Sequence, residues 1–185
     1  MMEDLKSLAD LLDLQAVDLE IDRLLHERES LPELATYKET HELLTKATAR
    51  LEAAETGLRE TTLAVDKTNG ELEIAEDKIG REQMRLYAGG LSARDADYMR
   101  REVEMLERKK GEMEEEVLEL MERSEEQEKE VEAVRGEVES LTAGKAKLEA
   151  AIAEAWKGID VRLAGKEERK AAIVPLIDED ILELY

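Results

Sequence analysis

Seven residues separate each member of the series Val103, Lys110, Val117, Ser124, Val131, Val138, Lys145, Ile152 and Ile159. A second series runs three residues behind it: Leu106, Met113, Leu120, Gln127, Val134, Leu141, Leu148 and Ala155. Mostly β-branched residues in the first row and mostly Leu or Met in the second are the a and d positions of a coiled-coil seam. A strand cannot use a period of seven, so this half of the chain is committed to helix. The first half carries its own ruler at Leu44, Leu51, Leu58, Val65, Leu72, Ile79 and Leu86. Its companion row is small, with Ala47, Ala54, Thr61, Thr68 and Ala75 ending in Glu82. Large residues alternating with small ones let a partner helix come close. Earlier still, Leu14, Val17, Ile21, Leu24 and Leu31 form an apolar stripe whose phase slips by one residue near Pro32.

Two architectures use a double set of heptads: a parallel dimer of one continuous helix, or one chain folded back on itself. The stretch "RLYAGGLSARDADY" selects the second. Gly89 and Gly90 offer a helix C-cap, because glycine enters the left-handed region without a Cβ penalty. Ser92 followed by Asp95 is an S-x-x-D box that starts the next helix. The arms on either side, about 3–87 and about 93–174, are nearly equal in length. The expected fold is therefore all-α: a long antiparallel two-helix coiled-coil hairpin over 1–174 with its turn at 88–92. Pro32 marks either a kink or a break. In the break reading Ser30 is the cap, Pro32 stands in the first turn and Glu33 completes a second box. Pro175 ends the descending arm, and 175–185 should form a short acidic helix or the start of a linker. Glycines elsewhere, including Gly70 and Gly111, avoid a and d positions and are expected to soften the helices locally. A single seam buries little per residue, which leaves room for a homodimer.

Composition limits function more than it defines it. The 185 residues carry 48 acidic and 27 basic side chains, a net charge of −21, which repels a phosphate backbone over most of the surface. There is no cysteine, and hence no disulfide, thiol nucleophile or thiolate metal site. Apolar runs fall far short of the ~20 residues of a membrane span, and the start "MMEDLKSLAD" is acidic, unlike a signal peptide. A cytoplasmic protein without membrane contact is expected. His26 and His41 lack the E-x-x-H spacing of a di-iron bundle. No catalytic or metal-ligating set emerges, and no cofactor is expected in this chain.

The turn region departs from this acidity. Between Lys78 and Lys110 nine basic residues face six acidic ones, a local charge of +3 that leaves −24 for the remainder. Arg85, Tyr87, Gly89, Gly90, Arg94, Tyr98, Arg100 and Arg101 are the candidate partner-binding residues, with Arg supplying charge and Tyr a stacking surface. A protein partner is the first expectation and RNA at the tip the second; a purely structural spacer is a third. The same residues would also serve to close the seam and pair with neighbouring acids along the helix.

Four stretches carry a resemblance: "LLDLQAVDLEIDRLLHERESLPE", "RLYAGGLSARDADYMRREVEMLERKK", "EEEVLELMERSEEQE" and "IVPLIDEDILELY". In this order they resemble a bacterial family of coiled-coil hairpin proteins with a C-terminal C4-type zinc ribbon. The resemblance implies a non-enzymatic adaptor or scaffold linked to transcription or secretion machinery, with the ribbon as a nucleic-acid- or protein-binding module. This chain departs from the pattern at Tyr185, where the linker to the ribbon would begin, and contains none of the four cysteines. Zinc is implied only for a longer form.

Overall fold

The computed structural model describes residues 2–183 and 185, with side chains described from Ser7 onward. Among the described residues the chain is helical throughout, without strands: α1 Met2–Glu29, α2 Pro32–Tyr87, α3 Ala93–Ile173, a 3-10 turn Val174–Leu176 and α4 Glu179–Leu182. The two long helices, α2 and α3, are joined by a short turn into the expected hairpin. Packing divides the chain into two units, one of residues 1–45 with 140–185 and one of residues 46–139.

In the unit of residues 46–139 the heptad rows face inward. Ile79, Val103 and Leu106 form one buried cluster, and Met113, Val117, Val131 and Val134 are buried further along α3. The small row of α2 lies deeper than the leucine row: Ala47, Thr61 and Thr68 are buried, whereas Leu51, Leu58 and Leu72 are only half-buried. Small side chains let the backbones approach, and the leucines then flank the contact rather than fill it. Lys110 occupies a seam position and reaches Glu76 at 2.7 Å and Glu114 at 3.4 Å. Its hydrogen bond to Glu76 holds the ammonium above its ordinary pKa. A charged group paired across a seam fixes register, because any slip separates it from its partner. Arg135 bridges Glu55 at 3.0 Å and Glu132 at 2.7 Å in the same way.

Gly57 differs from the glycine expectation. A Cβ placed there would meet Gln127 Nε2 at 3.4 Å, so this glycine faces the opposing helix. Gly70 and Gly111 have nothing within 4 Å of such a Cβ. Each should therefore accept alanine without a clash, and Gly70→Ala and Gly111→Ala should each stabilise the protein by about 0.5–1 kcal/mol. A urea midpoint that does not rise in either variant would contradict this.

In the unit of residues 1–45 and 140–185, Pro32 breaks the helix rather than kinking it. Leu31 before the proline leaves the helix, as the steric demand of the ring requires, and Pro32 is the first residue of α2. The cap proposed for Ser30 is not formed. Its hydroxyl and its amide both donate to the His26 carbonyl, at 2.6 and 2.9 Å, so Ser30 terminates α1 instead of starting α2. Leu31 supplies the first carbonyl of α2, accepting from Leu34 N at 3.0 Å. Trp156 completes the break by donating its indole N–H to the Arg28 carbonyl at 3.2 Å, satisfying another acceptor that a helix end leaves open. The Arg28 guanidinium lies 5.5 Å from the Trp156 ring and 3.2 Å from Asp160. Leu31 packs with Ile21 on the core formed by Leu24, Ile159 and Leu163.

The C-terminal segment folds back on α1. Asp178 N donates to Ser7 Oγ at 2.8 Å, Ile177 is buried, and the Tyr185 hydroxyl donates to Asp18 at 3.1 Å. Lys170 pairs with the same Asp18 at 2.8 Å and holds its carboxyl below the ordinary range. α4 is the short acidic helix expected after Pro175.

Candidate partner-binding site at the hairpin turn

The turn is built as its letters demand. α2 ends at Tyr87, Ala88 N still bonds the Met84 carbonyl at 2.9 Å, and Gly89 and Gly90 take φ of 79° and 89°. Among the described residues these are the glycines with positive φ, and no other residue type has one. Ser92 then caps α3: its hydroxyl accepts from Asp95 N at 3.2 Å and donates to the Asp95 carboxylate at 2.6 Å. The short reciprocal contact pins Asp95 in the first turn of α3, where the helix dipole favours an acid.

Leu86, Ala96 and Met99 are the half-buried residues that close the seam next to the turn. Tyr87 and Tyr98 do not close it; they stand 84% and 72% exposed. The heptad phase explains this, since Tyr87 follows a seam position and Tyr98 lies between two. Leu91 is 37% exposed between them in sequence.

The arginines divide into two kinds. Arg85 pairs with Glu82 at 3.3 Å and Arg100 with Asp97 at 2.8 Å, each an acid three residues earlier on its own helix. Arg94 and Arg101 form no ion pair among the described residues. Tyr87 and Arg100 line one shallow groove of about 450 Å³, together with Gln83, Leu86 and Glu107. Gln83 of α2 donates to Glu107 of α3 at 2.9 Å. Arg94, Tyr98 and Arg101 do not line that groove. The groove, made jointly by the end of α2 and the start of α3, had no signal in the sequence, because it depends on which residues of two helices stand at the same level.

Among the described residues no group of three or more His, Asp or Glu side chains is placed to hold a metal ion. His41 instead lies parallel to Tyr37 at 6.4 Å, and the Tyr37 hydroxyl donates to Glu149 at 3.0 Å. No described helix is long and apolar enough to cross a membrane.

Comparison with known proteins agrees with this fold. A protein of Mycobacterium smegmatis superposes with a TM-score of 0.84 at 26% identity, covering 97% of this chain and 74% of its own. CT398 from Chlamydia trachomatis superposes with a TM-score of 0.78 at 14% identity, covering 97% and 75%. The HP0958 protein of Helicobacter pylori gives 0.62 at 17%, covering 97% and 74%. An uncharacterized protein of Mycobacterium tuberculosis, Rv2229c, is 24% identical over 175 residues, which are 95% of this chain and 71% of that protein. The fold is that of a coiled-coil family and not a known enzyme fold. The family model for the CT398-like coiled-coil hairpin domain matches residues 14–185, and the chain belongs to that family.

Proposed function

We propose that this protein is a non-enzymatic adaptor whose hairpin turn binds an acidic surface on a protein partner. The observation that carries the reading is the exposure of Tyr87 and Tyr98 in the same turn region as Arg94 and Arg101, two guanidinium groups that form no ion pair among the described residues. An exposed tyrosine buries a large, stiff surface on binding, and an unpaired arginine needs no internal ion pair broken first. Arg85 and Arg100 have weaker claims, because their pairs with Glu82 and Asp97 would compete with a partner. The transcription- or secretion-linked role implied by the family resemblance is the setting we propose. In a longer form, a C-terminal zinc ribbon would add a second binding module and bring its own cysteines; residues 1–185 contain none.

The test is affinity capture with the wild type, with Arg94→Glu/Arg101→Glu, and with Arg123→Glu as a control on the acidic face of α3. The double variant should retain its helicity and lose captured partner about tenfold or more, since two charge-assisted contacts become repulsive. Capture unchanged in the double variant removes the turn from the reading. Capture that disappears on ribonuclease treatment, with affinity falling steeply in salt, assigns the turn to RNA instead.

A further inference from the structure

We propose that α1 and the end of α3 form a binding groove for a small, multiply charged phosphate anion. The groove encloses about 550 Å³ within the unit of residues 1–45 and 140–185, and Arg23, Arg162, Lys166 and Arg169 line it. Glu20 is the one acid in the lining. In a chain where acids outnumber bases 48 to 27, a surface groove chosen at random would be net negative; this one has four cations around one carboxylate.

The internal pairings leave two of those cations unused. Lys166 is paired with Glu20, and Arg162 with Glu27 at 3.0 Å. Arg23 and Arg169 have no ion pair or hydrogen bond of their side chains among the described residues. Both line the same groove as the Glu20–Lys166 pair, and their charges help hold the Glu20 carboxyl below its ordinary range, after the larger effect of Lys166. Like charges held together repel, and that repulsion is relieved when an anion enters. Two guanidinium forks and an ammonium match the oxygens of adjacent phosphate groups, whereas a lone carboxylate would satisfy only one fork. The volume lies within the range of small-ligand sites. A nucleic-acid backbone fits less well, because it would extend from the groove onto a surface of the opposite preference in a chain of net charge −21.

A local change in the seam creates the groove. The seven-residue ruler, continued past Ile159, would turn Arg162, Lys166 and Arg169 inward. Leu163 is buried instead, at 8% exposure, so the seam has moved by one residue and Arg162 and Arg169 lie exposed beside it. Gly165 lines the groove between them, and a Cβ added there meets nothing within 4 Å.

The experiment is isothermal titration of the full 185-residue chain with inorganic tripolyphosphate in about 50 mM salt, where charge-driven binding is strong. Sulfate and a short single-stranded RNA are the comparison ligands. The wild type should bind one tripolyphosphate per chain saturably, sulfate more weakly, and RNA no better than sulfate. Arg23→Gln/Arg169→Gln should weaken tripolyphosphate about tenfold or more, the loss expected for charge-assisted hydrogen bonds. Gly165→Leu should weaken it similarly by filling the groove, with a thermal midpoint no lower than wild type because leucine is the better helix former. Absence of saturable binding, wild-type affinity retained in either variant, or RNA that binds more tightly than tripolyphosphate at these residues overturns the proposal. None of these outcomes touches Arg94 or Arg101, so the groove and the turn stand or fall separately.

Discussion

Replacing Leu14 with alanine is expected to lower the free energy of unfolding by about 2–5 kcal/mol, the cost of lost burial plus an unfilled cavity. Leu14 is 2% exposed and is the largest fully buried side chain of the described structure. It sits in α1, a helix of 28 residues that ends at Glu29 and is not continued by α2 across the Pro32 break. A helix that stands by itself in water is marginal, so α1 depends on the packing of its apolar face. Leu14 and Val17, at 2% and 3% exposure, carry that packing in the middle of α1. Leu12, two residues away, is 66% exposed; Leu12→Ala should change stability by no more than about 0.5 kcal/mol. Urea denaturation followed by circular dichroism measures both, and amide exchange should show the α1 amides losing protection first in Leu14→Ala. Equal effects from the two substitutions would mean that α1 is not held by this face.

The coiled-coil half of this architecture could be read because a seam has a period. Each residue of the four seam rows, from Leu44 to Glu82 or Leu86 and from Val103 to Ile159, is buried or half-buried. The turn could be read because its chemistry is local: two glycines for positive φ and a serine three residues before an aspartate. The same kind of local pattern misled at Ser30. Ser30 and Glu33 have the spacing of a box, but the residue driven out of helix by a proline is the one just before it, and that is Leu31. Ser30 is one position too early to cap α2, and the His26 carbonyl behind it is an available acceptor. Glu33, which would have completed the box, has a buried Oε2 without a hydrogen-bond partner. Contacts spanning the hairpin left no local mark. Trp156 reaches the Arg28 carbonyl across 128 residues, and Arg23 joins Arg162 and Arg169 only because α1 and α3 lie side by side. At the turn, the exposure of Tyr87 and Tyr98 was contained in the heptad phase. So was the pairing of Arg85 and Arg100, because Glu82 and Asp97 each stand three residues before their partner.

Converting both turn glycines to valine, Gly89→Val/Gly90→Val, is expected to cost about 2–4 kcal/mol, roughly 1–2 for each residue forced into the left-handed region. At φ of 79° and 89° the penalty comes from the backbone alone, since a Cβ at either position meets nothing within 4 Å. β-branched side chains are the least tolerant of that region. The helices on both sides cannot absorb the change, because the Met84 carbonyl and the Ser92–Asp95 box already fix where α2 stops and α3 begins. Relief would require unwinding a terminal turn of one helix, which moves Tyr87 or Arg94. Partner capture should therefore fall in this variant even in buffer where its circular dichroism still reports long helices. Ser92→Ala removes only the cap, at about 0.5–2 kcal/mol, and should leave the glycine conformation and most of the capture intact. If the double valine variant shows the wild-type urea midpoint, the two glycines do not set the reversal of the chain. If it is destabilised yet captures partner normally, the turn orders the fold without presenting the contact surface.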